Sequence, residues 1–437
     1  MIESAPNISK SSLLDEQIYQ RYIELESTAL LKSINNEYLY WDKVKYKSKD
    51  INPEELWSAV KLSRFLKMQN IRFGKYTFTY VITDYLQKSL HFFDLNIGGN
   101  LGSNIQIADT EKNKYLISSI MEEAISSSQM EGAVTTRKKA KEMLQKELKP
   151  KSKSDQMIVN NYITIQHVIE HKNDDLNIEN LCYIHGLITK KTLDKTEDEG
   201  VIRTHDDIFI VNHLTSEVVH QPPSYSEIPQ LLNELCAFFN RDTENFIHPI
   251  IKGIIIHFMF AWIHPFSDGN GRTARALFYW YMLKNGYWLT EYLSISRIIK
   301  DTKSQYEKAF IYSEIDNNDL TYFATYHIKT MDKAFMALKE YIGRKQKEIV
   351  RSAQFLKIPN INDRQAQIIK LLSEESDRVL NIKEIENRFQ ISNFTARSDL
   401  KGLVELGFLE ILQVNKIKQS FVKSSEFDLI LKKYNLR

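Results

Sequence analysis

The apolar run over residues 250–263 constrains this chain more than any other stretch. Only Lys252 and His257 interrupt it, and Pro249 and Pro265 bracket it. Proline suits a first helical position and stops a helix that it follows. A helix that is apolar nearly all round has no face for solvent, so it belongs at the centre of a buried core. It is too short to cross a bilayer, which takes ~20 residues. The 14 glycines and 9 prolines among 437 residues are too few for the turns of a sandwich or barrel, so helices are expected around it. The two cysteines, Cys182 and Cys236, lie in apolar stretches and form no CxxC, which excludes a disulfide framework and a Cys-rich zinc site.

The rest of the chain divides by pattern. The first ~90 residues carry no motif, and the opening residues lack the basic and apolar regions of a signal peptide. Residues 112–149 are helical in pattern, with Ile117, Ile120, Met121 and Ala124 on one face. They run into a basic stretch over 137–153, which reads as a solvated helix end. Residues 208–211 and 218–220 form two short apolar strands around a polar turn, a hairpin that precedes Pro222 and Pro223. A further helix over 271–284 stops at Asn285 and Gly286. More helices fill 300–358, the last of them long and charged. Beyond Pro359, helices over 366–372, 382–389 and 395–406 precede strands over 409–414 and 420–423, the outline of a winged helix-turn-helix. The string around Thr395, Ala396 and Arg397 looks like the DNA-binding modules of bacterial regulators. Residues 361–437 hold 13 Lys/Arg against 11 Asp/Glu, and the whole chain has a net charge of +2, far from a strongly basic footprint. DNA contact and protein docking both stay open for this segment.

Chemistry concentrates between the buried helix and the next one, from His264 to Arg275. Pro265 leaves His264 at a loop, where an imidazole suits a general base. Asp268 is a hard oxygen ligand of the kind that holds Mg²⁺ together with substrate phosphates. Gly269 and Gly271 let backbone N–H groups approach an anion at a helix start. Arg272 and Arg275 share a helix face beside that cradle and can neutralise phosphate oxygens. A base, a metal ligand, an anion cradle and two guanidinium groups imply phosphoryl or nucleotidyl transfer.

The string matches His-Pro-Phe-x-Asp-Gly-Asn-Gly-Arg-x-x-Arg at every specified position, and so resembles the signature of the Fic (filamentation induced by cyclic AMP) family. The resemblance extends over roughly residues 110–330. It implies a mainly α fold: a Fic-type helical core with a β-hairpin flap, followed here by the small winged helix-turn-helix. It further implies a Mg²⁺-dependent protein adenylyltransferase that moves AMP from ATP to a Ser, Thr or Tyr hydroxyl of a target protein and releases pyrophosphate. On that basis His264, Asp268 and Arg272 form the catalytic set, with Asp268 on the metal. Gly269, Asn270, Gly271, Arg272 and Arg275 hold the phosphates, Phe266 packs beneath the loop, and Tyr306 stacks on the adenine. The target docks on the flap from Ile208 to Val219.

Residues 127–132, Ser-Ser-Gln-Met-Glu-Gly, resemble the family's inhibitory motif, in which the glutamate, Glu131 here, pairs with the second motif arginine, Arg275. The expected organisation is an N-terminal, mainly helical region over 1–110 and a catalytic core over 111–330, including an inhibitory helix at about 115–132. A linker helix over 331–360 and the winged helix over 361–437 follow. The protein is expected in the cytoplasm, off the membrane, with homodimerisation and DNA binding through 361–437 open. Two alternatives stand beside autoinhibited transfer: removal of AMP by the same site, with Glu131 orienting water, and a DNA-binding regulator that senses nucleotide.

Overall fold

Side-chain caps set many of the helix starts. Thr136 Oγ1 accepts the Lys139 N–H, Ser152 Oγ that of Asp155, and Asn177 forms a reciprocal capping box with Asn180. The computed structural model describes residues 2–8, 12–98, 109–211, 218–413 and 419–436. The N-terminal region holds α1 (Glu16–Glu26), α2 (Ala29–Glu37), α3 (Trp41–Val44) and α4 (Pro53–Phe65), then the hairpin β1 (Gln69–Phe73) and β2 (Tyr76–Tyr80), and α5 (Asp84–Phe93). The middle of the chain runs through α6 (Asp109–Met130), α7 (Arg137–Gln145), α8 (Lys153–Glu170) and α9 (Ile178–Thr189). The hairpin β3 (Ile210–Val211) and β4 (Val218–His220) follows. Then come α10 (Ile228–Asn240), α11 (Pro249–Ile263), α12 (Asn270–Lys284), α13 (Ile295–Asp301), α14 (Lys303–Ile315) and α15 (Thr321–Ser352). The C-terminal segment is α16 (Asp363–Glu374), α17 (Ile382–Phe389), α18 (Asn393–Glu405), β5 (Leu409–Gln413), β6 (Gln419–Lys423) and α19 (Phe427–Lys433).

Helix α11 lies in the middle of the main core, buried along nearly all its length, and α12 packs back against it. Gly253 permits that approach, because a Cβ there would stand 3.1 Å from the Tyr281 ring. The β1–β2 hairpin, which the sequence reading did not anticipate, adds Phe73, Phe78 and Tyr80 to this core. Phe78 meets Trp262 of α11 edge-on at 5.1 Å between ring centroids. A separate cluster around Tyr40, Trp41 and Trp57 holds α1 to α4 together.

The expected helix over 112–149 is two helices. The chain breaks at Glu131 and Gly132, where Gly132 takes a positive φ of 94° and Ala133 N–H returns to the Ser128 carbonyl. Helix α15 runs unbroken through residue 330 to Ser352. The winged helix has its own core, which reaches back to Phe355 and Ile358 and includes α19, an element the sequence reading lacked. A bridge from Leu380 to Phe421 adds a third strand position to β5–β6. Residues 212–217 of the expected flap turn, and residue 414, lie outside the described residues. Among the described residues, no helix is long and apolar enough to cross a membrane.

Candidate active site

His264 closes α11 in the left-handed conformation, φ 50° and ψ 58°, with its N–H on the Phe260 carbonyl. That turn swings the imidazole out of the helix line. Its Nδ1 lies 3.2 Å from the Ala261 carbonyl. A carbonyl only accepts, so Nδ1 carries the proton and Nε2 keeps an open lone pair, the tautomer a general base needs. Burial pushes the imidazole pKa down to about 4, and nearby His220 and Arg203 work in the same direction. The ring is therefore neutral at physiological pH.

Arg203, between α9 and the flap, is the clamp for this turn. Its Nε donates to the His264 carbonyl at 3.0 Å and its backbone N–H to the Pro265 carbonyl at 2.9 Å. Its other nitrogens hold the carbonyls of His205 and Pro223 and the Asp206 carboxylate. On the flap itself, His220 Nε2 meets the Trp262 carbonyl at 2.7 Å while Nδ1 lies 2.8 Å from Glu314.

The loop after Pro265 is built from inside. Asn270 Nδ2 donates to the Phe266 carbonyl and its Oδ1 accepts the Phe266 N–H, so this side chain ties the turn across itself. Phe266 is fully buried and stacks on His185 at 3.6 Å with the rings 4° apart. His185 Nε2–H donates to the Asp268 carbonyl at 2.7 Å, and its Nδ1 accepts the Gly200 N–H at 3.0 Å. Burial lowers its pKa to about 4, so it serves as a neutral strut between α9, the loop and the chain entering the flap. The Asp268 carboxylate is exposed; its Oδ1 accepts the Gly269 N–H and lies 3.8 Å from Arg272 Nη2, and Oδ2 is left to take a ligand from solvent. Gly269, with φ 83°, starts α12, and a side chain there would meet Thr189 at 2.7 Å.

The two arginines sit on the inner face of α12, both almost fully buried. Arg275 donates through Nε to Ser127 Oγ at 2.8 Å and through Nη2 to Glu131 Oε1 at 2.8 Å. Burial works against the Glu131 carboxylate ion, yet Arg275 outweighs it and holds the pKa below the usual range. The same carboxylate lies against Gly271, where an added methyl group would overlap it. Arg272 donates through Nη1 to the Ile188 carbonyl, but its buried Nε has no partner, and burial lowers its pKa. A buried guanidinium with an unmatched N–H beside a helix N-terminus favours an anion. Glu131 supplies negative charge there in this structure. Tyr306 has its hydroxyl 3.0 Å from His257 Nε2, within the neighbourhood of Arg275.

The structure thus gathers His264, Asp268, Asn270, Gly271, Arg272, Arg275 and Glu131 around one helix start. Sequence reasoning assigned no role to His185 or Arg203. Their partners lie some sixty to eighty residues away in the chain, so no local pattern announces them. Among the described residues no cluster of three or more His, Cys, Asp or Glu could hold a metal, which leaves Asp268 as a single carboxylate. That suits Mg²⁺ shared with substrate phosphates rather than a protein cage.

Comparison with known proteins bears on the same stretch. Residues 175–282 match the Fic/DOC family model, and residues 364–412 match the DeoR-like helix-turn-helix domain. Over 123 residues the chain is 28% identical to a protein adenylyltransferase Fic from Culex quinquefasciatus, covering 28% of this chain and 23% of that protein. Over 68 residues it is 34% identical to a protein adenylyltransferase Fic from Drosophila grimshawi, covering 16% of this chain and 14% of that protein. The chain thus spans about a quarter or less of the length of these curated relatives. A Fic-1 fragment from C. elegans superimposes with a TM-score of 0.52 over 76% of this chain and 88% of that fragment, at 17% identity, a likeness of fold. The helix–loop–helix that seats His264, Asp268 and Arg275 falls inside the matched residues, so the chain carries a Fic/DOC domain, with a DeoR-like helix-turn-helix behind it.

Proposed function

We propose that this protein is an adenylyltransferase that moves AMP from ATP to a hydroxyl side chain of a target protein, and that Glu131 restrains it. The observation that carries the reading is the pairing of a neutral imidazole, open at Nε2, with an anion cradle at the start of α12. In the reaction the target oxygen bonds to the α-phosphorus, the bond to the β-phosphate oxygen breaks, and pyrophosphate leaves. His264 Nε2 takes the hydroxyl proton. Arg272, Arg275 and the N–H groups at Gly271 hold the phosphates, with Asn270 keeping the loop in shape. Asp268 would hold Mg²⁺, whose role when bound is to offset phosphate charge. The unmatched Arg272 Nε supports the fit of a polyanion here.

Glu131 occupies the guanidinium that would otherwise take the terminal phosphate. ATP bound against it lies with its α-phosphate out of line, and ~1 Å of misplacement costs ~100-fold in rate. The flap presents exposed Phe209, Val211 and Val218 and is tied to the end of α11 through His220, a surface suited to aligning an extended target segment by strand pairing. The helix-turn-helix adds a second partner class, DNA, through exposed residues of α18 such as Asn393 and Arg397. ATP as co-substrate and two unpaired cysteines accord with a cytoplasmic location. The test is His264→Ala, which abolishes AMP transfer to target protein while leaving ATP affinity near native. A large loss of ATP affinity would remove His264 from the role of base.

A further inference from the structure

Behind α6, the helix that ends just before Glu131, lies a second charged cleft that the proposed transfer chemistry leaves unused. It measures about 120 Å³ and is enclosed by α6, α7, the start of α13 and α15. None of its lining residues belongs to the loop from His264 to Arg275. Its floor is apolar, made by Ile298, Ala334 and Leu338. Around it stand four cationic side chains, Arg137, Lys141, Arg297 and Arg344, against one carboxylate, Glu122.

That carboxylate is already spent. Arg137 Nε lies 2.7 and 2.8 Å from its two oxygens, and Lys141 Nζ lies 3.2 Å from one of them. Burial opposes the ionised form, but Arg137 and Lys141 together keep Glu122 below the ordinary carboxylate range. Arg297 and Arg344 have no hydrogen-bond or ion-pair partner among the described residues, and both are exposed at the cleft mouth. Uncompensated positive charge in a concave, low-dielectric setting concentrates the field on whatever enters. Guanidinium forks match phosphate oxygens two at a time, and Ser118 and Ser119 add hydroxyls along the α6 wall. The enclosure by four elements and the small volume favour a small molecule over a nucleic acid or a membrane surface.

We propose that this cleft binds a small phosphate-bearing ligand, with Arg297 and Arg344 as its principal contacts and the apolar floor under the rest of the molecule. The inference stands apart from the proposed transfer reaction, because it uses none of that site's residues. Two ligand sources share this chemistry: free inorganic phosphate, and a phosphate monoester such as a nucleoside monophosphate.

The experiment is calorimetric titration of the full chain with inorganic phosphate and, separately, with AMP. The proteins compared are the wild type, Arg297→Ala/Arg344→Ala, and Gly271→Ala, the last perturbing the cradle at α12 and the Glu131 carboxylate against it, none of which lines this cleft. The expected result is a wild-type Kd below ~1 mM for at least one probe, weakened at least about tenfold in the double arginine variant and changed less than about twofold by Gly271→Ala. Tight phosphate binding identifies the free anion as the source, and binding of AMP alone identifies a monoester. Both arginines are exposed, so the double variant keeps the wild-type unfolding midpoint, which is measured alongside. Binding unaffected by the arginine substitutions, loss confined to Gly271→Ala, or no binding below ~10 mM would each overturn the proposal.

Discussion

Replacing Glu131 by glycine perturbs one contact with a calculable result. Glu131 Oε1 takes the Arg275 Nη2 hydrogen bond at 2.8 Å, with Arg275 buried and Glu131 about a third exposed. A hydrogen bond between charged groups contributes roughly 1.5–3 kcal/mol. Under the proposed restraint, that contact competes with the terminal phosphate for the same guanidinium. At ~1.4 kcal/mol per tenfold in rate, its removal corresponds to roughly 10- to 150-fold faster transfer once ATP is bound. Ser127 continues to hold Arg275 through Nε, so the guanidinium stays in place after the carboxylate is gone. Helix α6 already ends at Met130, so a glycine at 131 costs little helix. The assay is incorporation of label from α-labelled ATP into the protein itself and into added lysate, followed as an initial rate. Adding Arg275→Ala to Glu131→Gly removes the gain, since the freed arginine is the group that orients ATP. Transfer that is unchanged or lower in Glu131→Gly refutes the restraint and makes the carboxylate a helix-terminal or catalytic group.

Three further outcomes are expected. Because His264 has its pKa lowered to about 4, the base stays neutral as pH falls through the usual imidazole range. Transfer is therefore flat from about pH 9 to 6 and declines only below about pH 5, and a half-point near 6.5 in the initial-rate profile contradicts the burial argument. Gly271→Ala places a methyl group where the Glu131 carboxylate now lies, so it expels the glutamate yet fills the phosphate cradle. Transfer stays low even when combined with Glu131→Gly, and a double variant as active as Glu131→Gly alone would show that the cradle is not used. The winged helix buries Phe355 and Ile358 in its own core, so a segment beginning at residue 353 unfolds cooperatively in urea. One beginning at 361 is less stable by about 3 kcal/mol or more, and equal midpoints would place those residues outside its core.

The candidate site loop was legible because its chemistry is local. Twelve consecutive residues span a helix end, a turn and a helix start, and each type has a backbone or charge reason for its place. The buried character of α11 was equally plain, since only Lys252 and His257 interrupt its apolar surface. Contacts between distant elements were not legible. The His185 ring reaches Phe266 across about eighty residues, and only the packing of α9 beside α12 brings them together. Arg203 looks like an ordinary residue until its Nε and backbone N–H are seen to hold the His264 turn while its other nitrogens reach His205, Asp206 and Pro223. Asn270 was read as a phosphate contact, and its side chain bridges the Phe266 backbone on both sides. The β1–β2 hairpin had a signal that went unread. Ile71 and Phe73 alternate with polar residues before Gly74, and Phe78 and Tyr80 continue the alternation after it. Gly74 takes a positive φ of 54° at the turn. Helix α19 is seven residues long, too short for its apolar face to stand out before it packs on the winged-helix core.

In the proposed reaction His264 drives transfer of the α-phosphate with its nucleoside. The most direct measurement incubates Glu131→Gly, with and without His264→Ala, with ATP labelled either at the α- or at the γ-phosphate. The expected result is protein-bound label from the α-labelled nucleotide alone, resistant to removal of pyrophosphate and absent in the His264→Ala variant. Label from the γ-position, or α-label that persists without His264, would contradict it.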